Sequence, residues 1–250
     1  IGDNMSGPNS TLLSIFLALG ANFLIAVSKF IAAFVTGSGA MLAEAVHSSA
    51  DCGNQLLLLI GIKRSRKPAD EEHPLGHGMS IYFWSFIVAI ILFTLGGLFS
   101  LYEGIEKFRT PHEVESPAIA IAVLVISIIL EAISLTGCIK QVNKNRGGQS
   151  LLRWFHNSTQ SELIVVFGED IAALLGLSVA LTAVVLTVVT GNTFFDAAGT
   201  VTIGIILITI AICVGYEVVN LLIGQSTDAP TRDAILQFLS KQDKISRIYN

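Results

Sequence analysis

The fold class this sequence predicts is an all-α membrane protein, a bundle of six transmembrane helices, and three observations predict it. Only 14% of its 250 residues are charged, whereas 52% are hydrophobic, far from the roughly quarter-charged make-up of soluble domains. The mean hydropathy is +0.68. The apolar residues also fall into runs that match the about 20 residues needed to cross a hydrocarbon core about 30 Å thick.

The runs are Thr11 to Gly37, Ala40 to Ile62, Ile81 to Glu103, Pro117 to Ile139, Leu163 to Thr190 and Phe194 to Gly224. Each is expected to be a helix, because lipid offers no partner to an unpaired backbone group. Glycines inside the runs, among them Gly20, Gly96, Gly97, Gly168, Gly176, Gly204 and Gly215, suit close helix packing. Lys63, Arg64, Arg66 and Lys67 follow the second run, and Lys140, Lys144, Arg146 and Arg153 follow the fourth. Cationic connections of this kind mark the cytoplasmic side. The other side carries Lys107 and Arg109, while the turns near Ser38 and Asn192 have no positive charge. Both termini are therefore expected in the cytoplasm.

Residues 1–224 are read as the transmembrane domain and 225–250 as the beginning of a cytoplasmic C-terminal region, opening at Gln225 and continuing into an amphipathic segment, Thr231 to Leu239. Its few residues cannot bury a core alone. The chain starts at Ile1 without a charged leader, so its natural start is expected to be missing. Cys52, Cys138 and Cys213 are far apart within or beside apolar runs and fit packing rather than a disulfide framework or a Cys-x-x-Cys knuckle. A net charge of −4 leaves no basic patch for nucleic acid.

Chemistry concentrates in the second and fifth runs. His47 and Asp51 stand four apart, one helical turn on one face, and Asn54 continues that face. The fifth run places Glu169 and Asp170 in apolar surroundings. Adjacent helical residues point about 100° apart, so one of these two carboxylates, rather than both, is expected to face His47 and Asp51. An ionisable group at membrane depth costs about 2.5–3.5 kcal/mol on insertion scales, and a cation is its natural partner. One imidazole with two or three carboxylates suits a borderline divalent metal. In the loop after the second run, Asp70, His73 and His77 have spacing compatible with another metal site, or with a solvated polar loop. Asn22, Lys29, Glu131 and Asp196 read as interhelical contacts, with Lys29 and Glu131 able to neutralise one another. Glu44, three residues before His47, reads as a proton acceptor or as an external-mouth residue.

The His47-Ser48-x-x-Asp51 run, the loop Pro68 to Gly78 and the acidic fifth helix resemble the cation diffusion facilitator family, over essentially the whole chain. The Glu169-Asp170 and Asn54-Gln55 pairs are most similar to its zinc transporter 9-like branch. The resemblance implies a homodimeric antiporter exchanging a divalent metal, zinc first, for protons. It further implies that His47, Asp51 and Asp170 coordinate the transported ion midway across the membrane and that Asp70, His73 and His77 hold an accessory zinc. Family members commonly carry His or Asp four residues before the fifth-helix Asp, where this chain has Val166. Water or Asn54, and after them Glu169, are the candidates for the fourth ligand.

The expected function is export of a divalent cation from the cytoplasm. Manganese, iron, cobalt, nickel or cadmium are the alternatives to zinc. A membrane metalloenzyme is disfavoured by the lack of a His-Glu-x-x-His run or nucleophile arrangement, and a channel by the confinement of polar residues to one cluster rather than a continuous stripe.

Overall fold

The computed structural model describes residues 8–111, 116–226 and 229–241. Among these the regular elements are all helical. In chain order they are α1 (Pro8–Thr36), α2 (Gly39–Ser65), α3 (Ser80–Ile91), a π-helical stretch (Leu92–Leu98), α4 (Phe99–Arg109), α5 (Pro117–Asn145), α6 (Leu151–Asn157), α7 (Ser161–Thr190), α8 (Phe194–Leu222) and α9 (Ala229–Ser240). Four stretches are long and apolar enough to cross a membrane: Ser80–Arg109, Pro117–Lys144, Ser161–Thr190 and Phe194–Leu222. The apolar part of α1 whose side chains are described, Asn22–Thr36, is shorter. Charged Glu44, Asp51, Lys63 and Arg64 lower the hydropathy of α2.

The expected third span is longer than its apolar run, because α3, the π stretch and α4 form one rod reaching Arg109. The short α6 was not among the expected elements. Its first turn is capped by Ser150, whose Oγ accepts the Arg153 N–H at 3.3 Å. The amphipathic segment expected at Thr231 to Leu239 lies within α9. Residues 227–228 and 242–250 of the expected C-terminal region, like the first seven residues of the chain, lie outside the described residues.

The turns are made by residues suited to them. Gly37 ends α1 at φ 64°, where a side chain would be strained. Extended Ser38 then caps α2 by accepting the Met41 N–H at 3.3 Å. Inside the helices, hydroxyls that would face an apolar medium bond their own backbone instead. Thr36, Thr94, Ser100, Ser178, Thr202 and Thr209 each donate to the carbonyl four residues back at 2.6–2.8 Å.

Helix α7 packs against α2, α5 and α8, while α8 also packs on α4 and α1 on α2. Two apolar clusters divide the bundle lengthwise. One joins Met41, Leu92, Leu124, Leu177, Val184 and Leu207. The other joins Leu58, Val88, Val142, Trp154, Ile164 and Val218 at the opposite end. Glu44 and Asp51 of α2 and Glu169 and Asp170 of α7 fall between them. At the end of the bundle marked by the α1–α2 turn, buried Asp196 accepts the Ser38 hydroxyl at 2.5 Å and the Gly39 N–H at 2.8 Å, with Lys107 3.9 Å away. Lys107 also donates to the Gly37 carbonyl. One carboxylate thus ties together the starts of α2 and α8 and the end of α4.

Glycine permits near backbone contact between α4 and α8. A Cβ on Gly204 would stand 2.8 Å from the Leu101 nitrogen and 3.0 Å from the Gly97 carbonyl oxygen. Gly204→Ala is therefore expected to destabilise the bundle by about 1–3 kcal/mol. Gly20→Ala, facing open space, is expected to be neutral or stabilising by up to about 1 kcal/mol. Thermal unfolding of the two variants in detergent checks the contrast.

Candidate metal centre

The face of α2 presents its groups at the predicted spacing. His47 is fully buried, and its Nε2 lies 3.7 Å from Asp51 Oδ2, one turn on. That separation is too long for a hydrogen bond, and neither ring nitrogen of His47 has a hydrogen-bond partner. The π-helical stretch faces the ring. An added Cβ on Gly96 would lie 3.7 Å from His47 Nδ1, an ordinary van der Waals contact, whereas Gly97 is packed against Ile208 of α8. Interruptions of this kind recur at functional sites.

Glu169 and Asp170 both line one cavity with Asp51, yet of the two it is Glu169 that bonds an α2 residue. Their divergence of about 100° is accommodated because the cavity has two walls. Glu169 turns to α2 and accepts the Asn54 amide at 2.5 Å, whereas Asp170 turns to α5 and accepts the Ser134 hydroxyl at 3.1 Å. Asn54 Oδ1 remains without a partner. Val166 lines the cavity and offers it only hydrocarbon.

The cavity has a volume of about 90 Å³. Ser48, Gln55, Glu131 and Asn22 contribute to its wall. A wider cavity of about 440 Å³ shares Gln55, Ser134, Val166 and Asp170 with it and extends past Cys138 and Gln141 to Gln160 and Glu162. Open space thus runs from Asp170 toward the end of the bundle where Lys63, Arg64 and Lys140 lie, opposite the end held by Asp196.

Among the described residues, the buried side-chain oxygens and nitrogens without a hydrogen bond are Glu44 Oε1, both His47 nitrogens, Asp51 Oδ1, Asn54 Oδ1, Asp170 Oδ2 and Thr187 Oγ1. Of these residues Asp51 and Asp170 line the cavity, whereas Glu44, His47, Asn54 and Thr187 do not. Buried polar atoms are ordinarily paired. An imidazole, carboxylates and an amide oxygen are donor types suited to a borderline divalent cation, but among the described residues ligand atoms of three such groups come within 4.8 Å of one another at Asp70, His73 and His77 and not at His47, Asp51 and Asp170.

The expected neutralisation of Lys29 by Glu131 takes a different form. Lys29 pairs with Glu44 at 3.3 Å and donates to Ser48 at 2.6 Å, every member buried. Ser134 was missed in the sequence. Its signal is weak, a serine in an apolar run three residues after Glu131. Of the three cysteines, Cys138 is buried, Cys52 is half-buried and Cys213 is exposed, and all are free thiols.

In the loop, Asp70 organises the two histidines. Its Oδ1 accepts the His73 N–H at 2.7 Å and stands 3.2 Å from His73 Nδ1, while Oδ2 stands 3.0 Å from His77 Nε2. One ligand atom from each residue lies within 4.8 Å of the others. The hydrogen bond with His77, followed by the His73 N–H, holds the Asp70 carboxyl down at about 2. It is therefore ionised throughout the range where imidazoles titrate.

Residues 15–223 match the cation efflux transmembrane domain. The chain is 30% identical to metal tolerance protein C4 of Arabidopsis thaliana over 93% of its own length and 51% of that protein's. It is 31% identical to the mitochondrial proton-coupled zinc antiporter SLC30A9 of Xenopus laevis, over 98% of its length and 44% of the relative's. For the human protein of that name the figures are 29%, 98% and 43%. The chain thus spans about half the length of the curated relatives it matches. With the match covering most of the chain, this protein belongs to the cation efflux family, a family of metal-cation transporters and not of enzymes.

Proposed function

We propose that this chain is the membrane part of a secondary transporter that exports a divalent cation, zinc first, from the cytoplasm in exchange for protons. The observation that carries the reading is the set of unpartnered buried donors on His47, Asp51, Asn54 and Asp170. The family membership and the printed names of the zinc antiporters at about 30% identity support it.

On this reading α1 and α2 cross the membrane with the four more apolar stretches, making six spans. At about 1.5 Å per residue, their 29 and 27 residues reach about 40 Å. The relative polarity of α2 is then the consequence of its cargo. Cationic residues near Lys63 and Lys140 put that end, and both termini, in the cytoplasm. The cation reaches Asp170 along the cavity lined by Gln160 and Glu162. His47, Asp51 and Asp170 bind it, and Asn54 Oδ1, Glu169 or water completes the shell. A neutral imidazole with carboxylates accepts zinc at about 2.0–2.2 Å, whereas magnesium and manganese suit all-oxygen shells. Protons compete for the same donors, so protonation from the far side drives release. Reorientation requires the Asp196 lock to open while the cytoplasmic cavity closes. The loop tripod of Asp70, His73 and His77 binds an accessory zinc and contributes to association of two copies.

Asp51→Ala and Asp170→Ala are each expected to reduce zinc uptake into proteoliposomes by at least about 100-fold, the effect of losing more than 2.7 kcal/mol of binding, while the proteins remain folded. Uptake at the wild-type rate by either would remove that residue from the site. His73→Ala/His77→Ala is expected to lower the bound zinc count or weaken self-association and to keep the membrane site. Metal analysis with light scattering checks this, and unchanged values for both would leave the loop a solvated turn.

A further inference from the structure

Lys29 is fully buried beside the candidate cation site, held by Glu44 at 3.3 Å and Ser48 at 2.6 Å. The seat for this ion pair is built from two helices besides α1. Ser48 and Glu44 come from α2, and α7 contributes Gly176, where an added Cβ would collide with Glu44 Oε1. Stability is a weak explanation for such a pair, since well-packed apolar side chains often serve as well or better. Its position suggests another role. Ser48 is in the cavity wall, and Asp51 follows it by three residues on the same helix. Asp51 and Glu131 line the same cavity as Ser48, to which the Lys29 ammonium is bonded. Glu131 forms no hydrogen bond or ion pair among the described residues and leaves Lys29 to Glu44.

A divalent ion at the cavity faces Asp51, Glu131, Glu169 and Asp170. Four carboxylates around one dication bind too tightly for an ion that must leave. A fixed positive charge one to two helical turns away opposes that attraction. The ammonium is bonded to Ser48 in the cavity wall and Glu44 lies outside that wall, so the pair turns its positive end to the ion; at an effective dielectric of about 20, with the carboxylate offsetting most of the ammonium's repulsion, the pair weakens binding about fivefold. We propose that Lys29 is a built-in counter-charge that sets the affinity of the cation site, with Glu44 and Ser48 holding the ammonium in place. The inference rests on the reading that His47, Asp51 and Asp170 bind the cation. Lys29 does not touch the ion in this arrangement and acts only through its charge.

The test is zinc calorimetry at pH 8 on the full chain in nanodiscs, using a His73→Ala/His77→Ala background so that the loop contributes nothing. Lys29→Met and Lys29→Gln are each expected to bind zinc at least about fivefold more tightly than the parent and to turn over more slowly at saturating zinc, because release becomes harder. Lys29→Gln keeps an amide donor for Ser48 and Glu44 and remains informative if Lys29→Met does not fold. Lys29→Arg retains the charge and is expected to stay within about twofold of the parent, well inside that fivefold effect. A purely structural role predicts weaker binding in the neutral variants. Folded neutral variants with parental or weaker affinity would overturn the inference, provided Asp51→Ala has lost binding. Parental affinity in Asp51→Ala would instead overturn the site reading beneath it.

Discussion

The carboxylates of α2 and α7 dictate what the middle of this bundle must contain, because each ionised group at membrane depth costs about 2.5–3.5 kcal/mol on insertion scales. That cost has to be met by charge, by hydrogen bonds or by water. Lys29 serves Glu44, the Asn54 amide serves Glu169, and the Ser134 hydroxyl serves one oxygen of Asp170. What remains is the set of donors on His47, Asp51, Asn54 and Asp170 that no protein group meets. Asp51 and Asp170 carry part of this deficit into the cavity wall, where the cation of the proposed function would meet it.

The surrounding architecture protects that arrangement at either end. Apolar clusters flank the polar layer, and the open space beside it is the cavity that extends past Gln160 and Glu162. Glycine does two jobs in the bundle. Gly204 brings α4 and α8 together, whereas Gly176 makes room for the Glu44 carboxylate. At the far end, a single carboxylate, Asp196, joins three helices through backbone and side-chain donors. A lock made of polar contacts at a helix terminus can open without tearing an apolar core, and its neighbour Lys107 keeps the charge neutral while it is closed.

Hydropathy made most of the helices legible, because each long apolar run exceeds what a loop would tolerate. The His47–Asp51 pair was legible for a similar reason, since a separation of four residues fixes two side chains on one helical face. Long-range partners were not. Asn54 meets Glu169 and Lys29 meets Glu44 rather than Glu131 only through the relative depth and rotation of separate helices, which local periodicity does not encode. The angle between Glu169 and Asp170 was read correctly, yet its consequence depended on a cavity bounded by two helices. Short α6 carries too few residues for a periodic signal, and the π-helical turn at Leu92–Leu98 uses the same residue types as its α-helical flanks.

Coupled exchange of the metal for protons is the central claim, and proton movement measured during metal transport tests it most directly. Proteoliposomes carrying an internal pH reporter, offered zinc, cobalt, manganese and magnesium in turn, should show proton counterflux with zinc, little with magnesium, and none when Asp51 is replaced by Ala. Zinc movement should weaken on both faces as pH is lowered from about 7.5 to about 5.5, as protons displace the metal from imidazole and carboxylate. Zinc crossing the membrane without proton movement, or proton movement equally responsive to magnesium, would contradict the account.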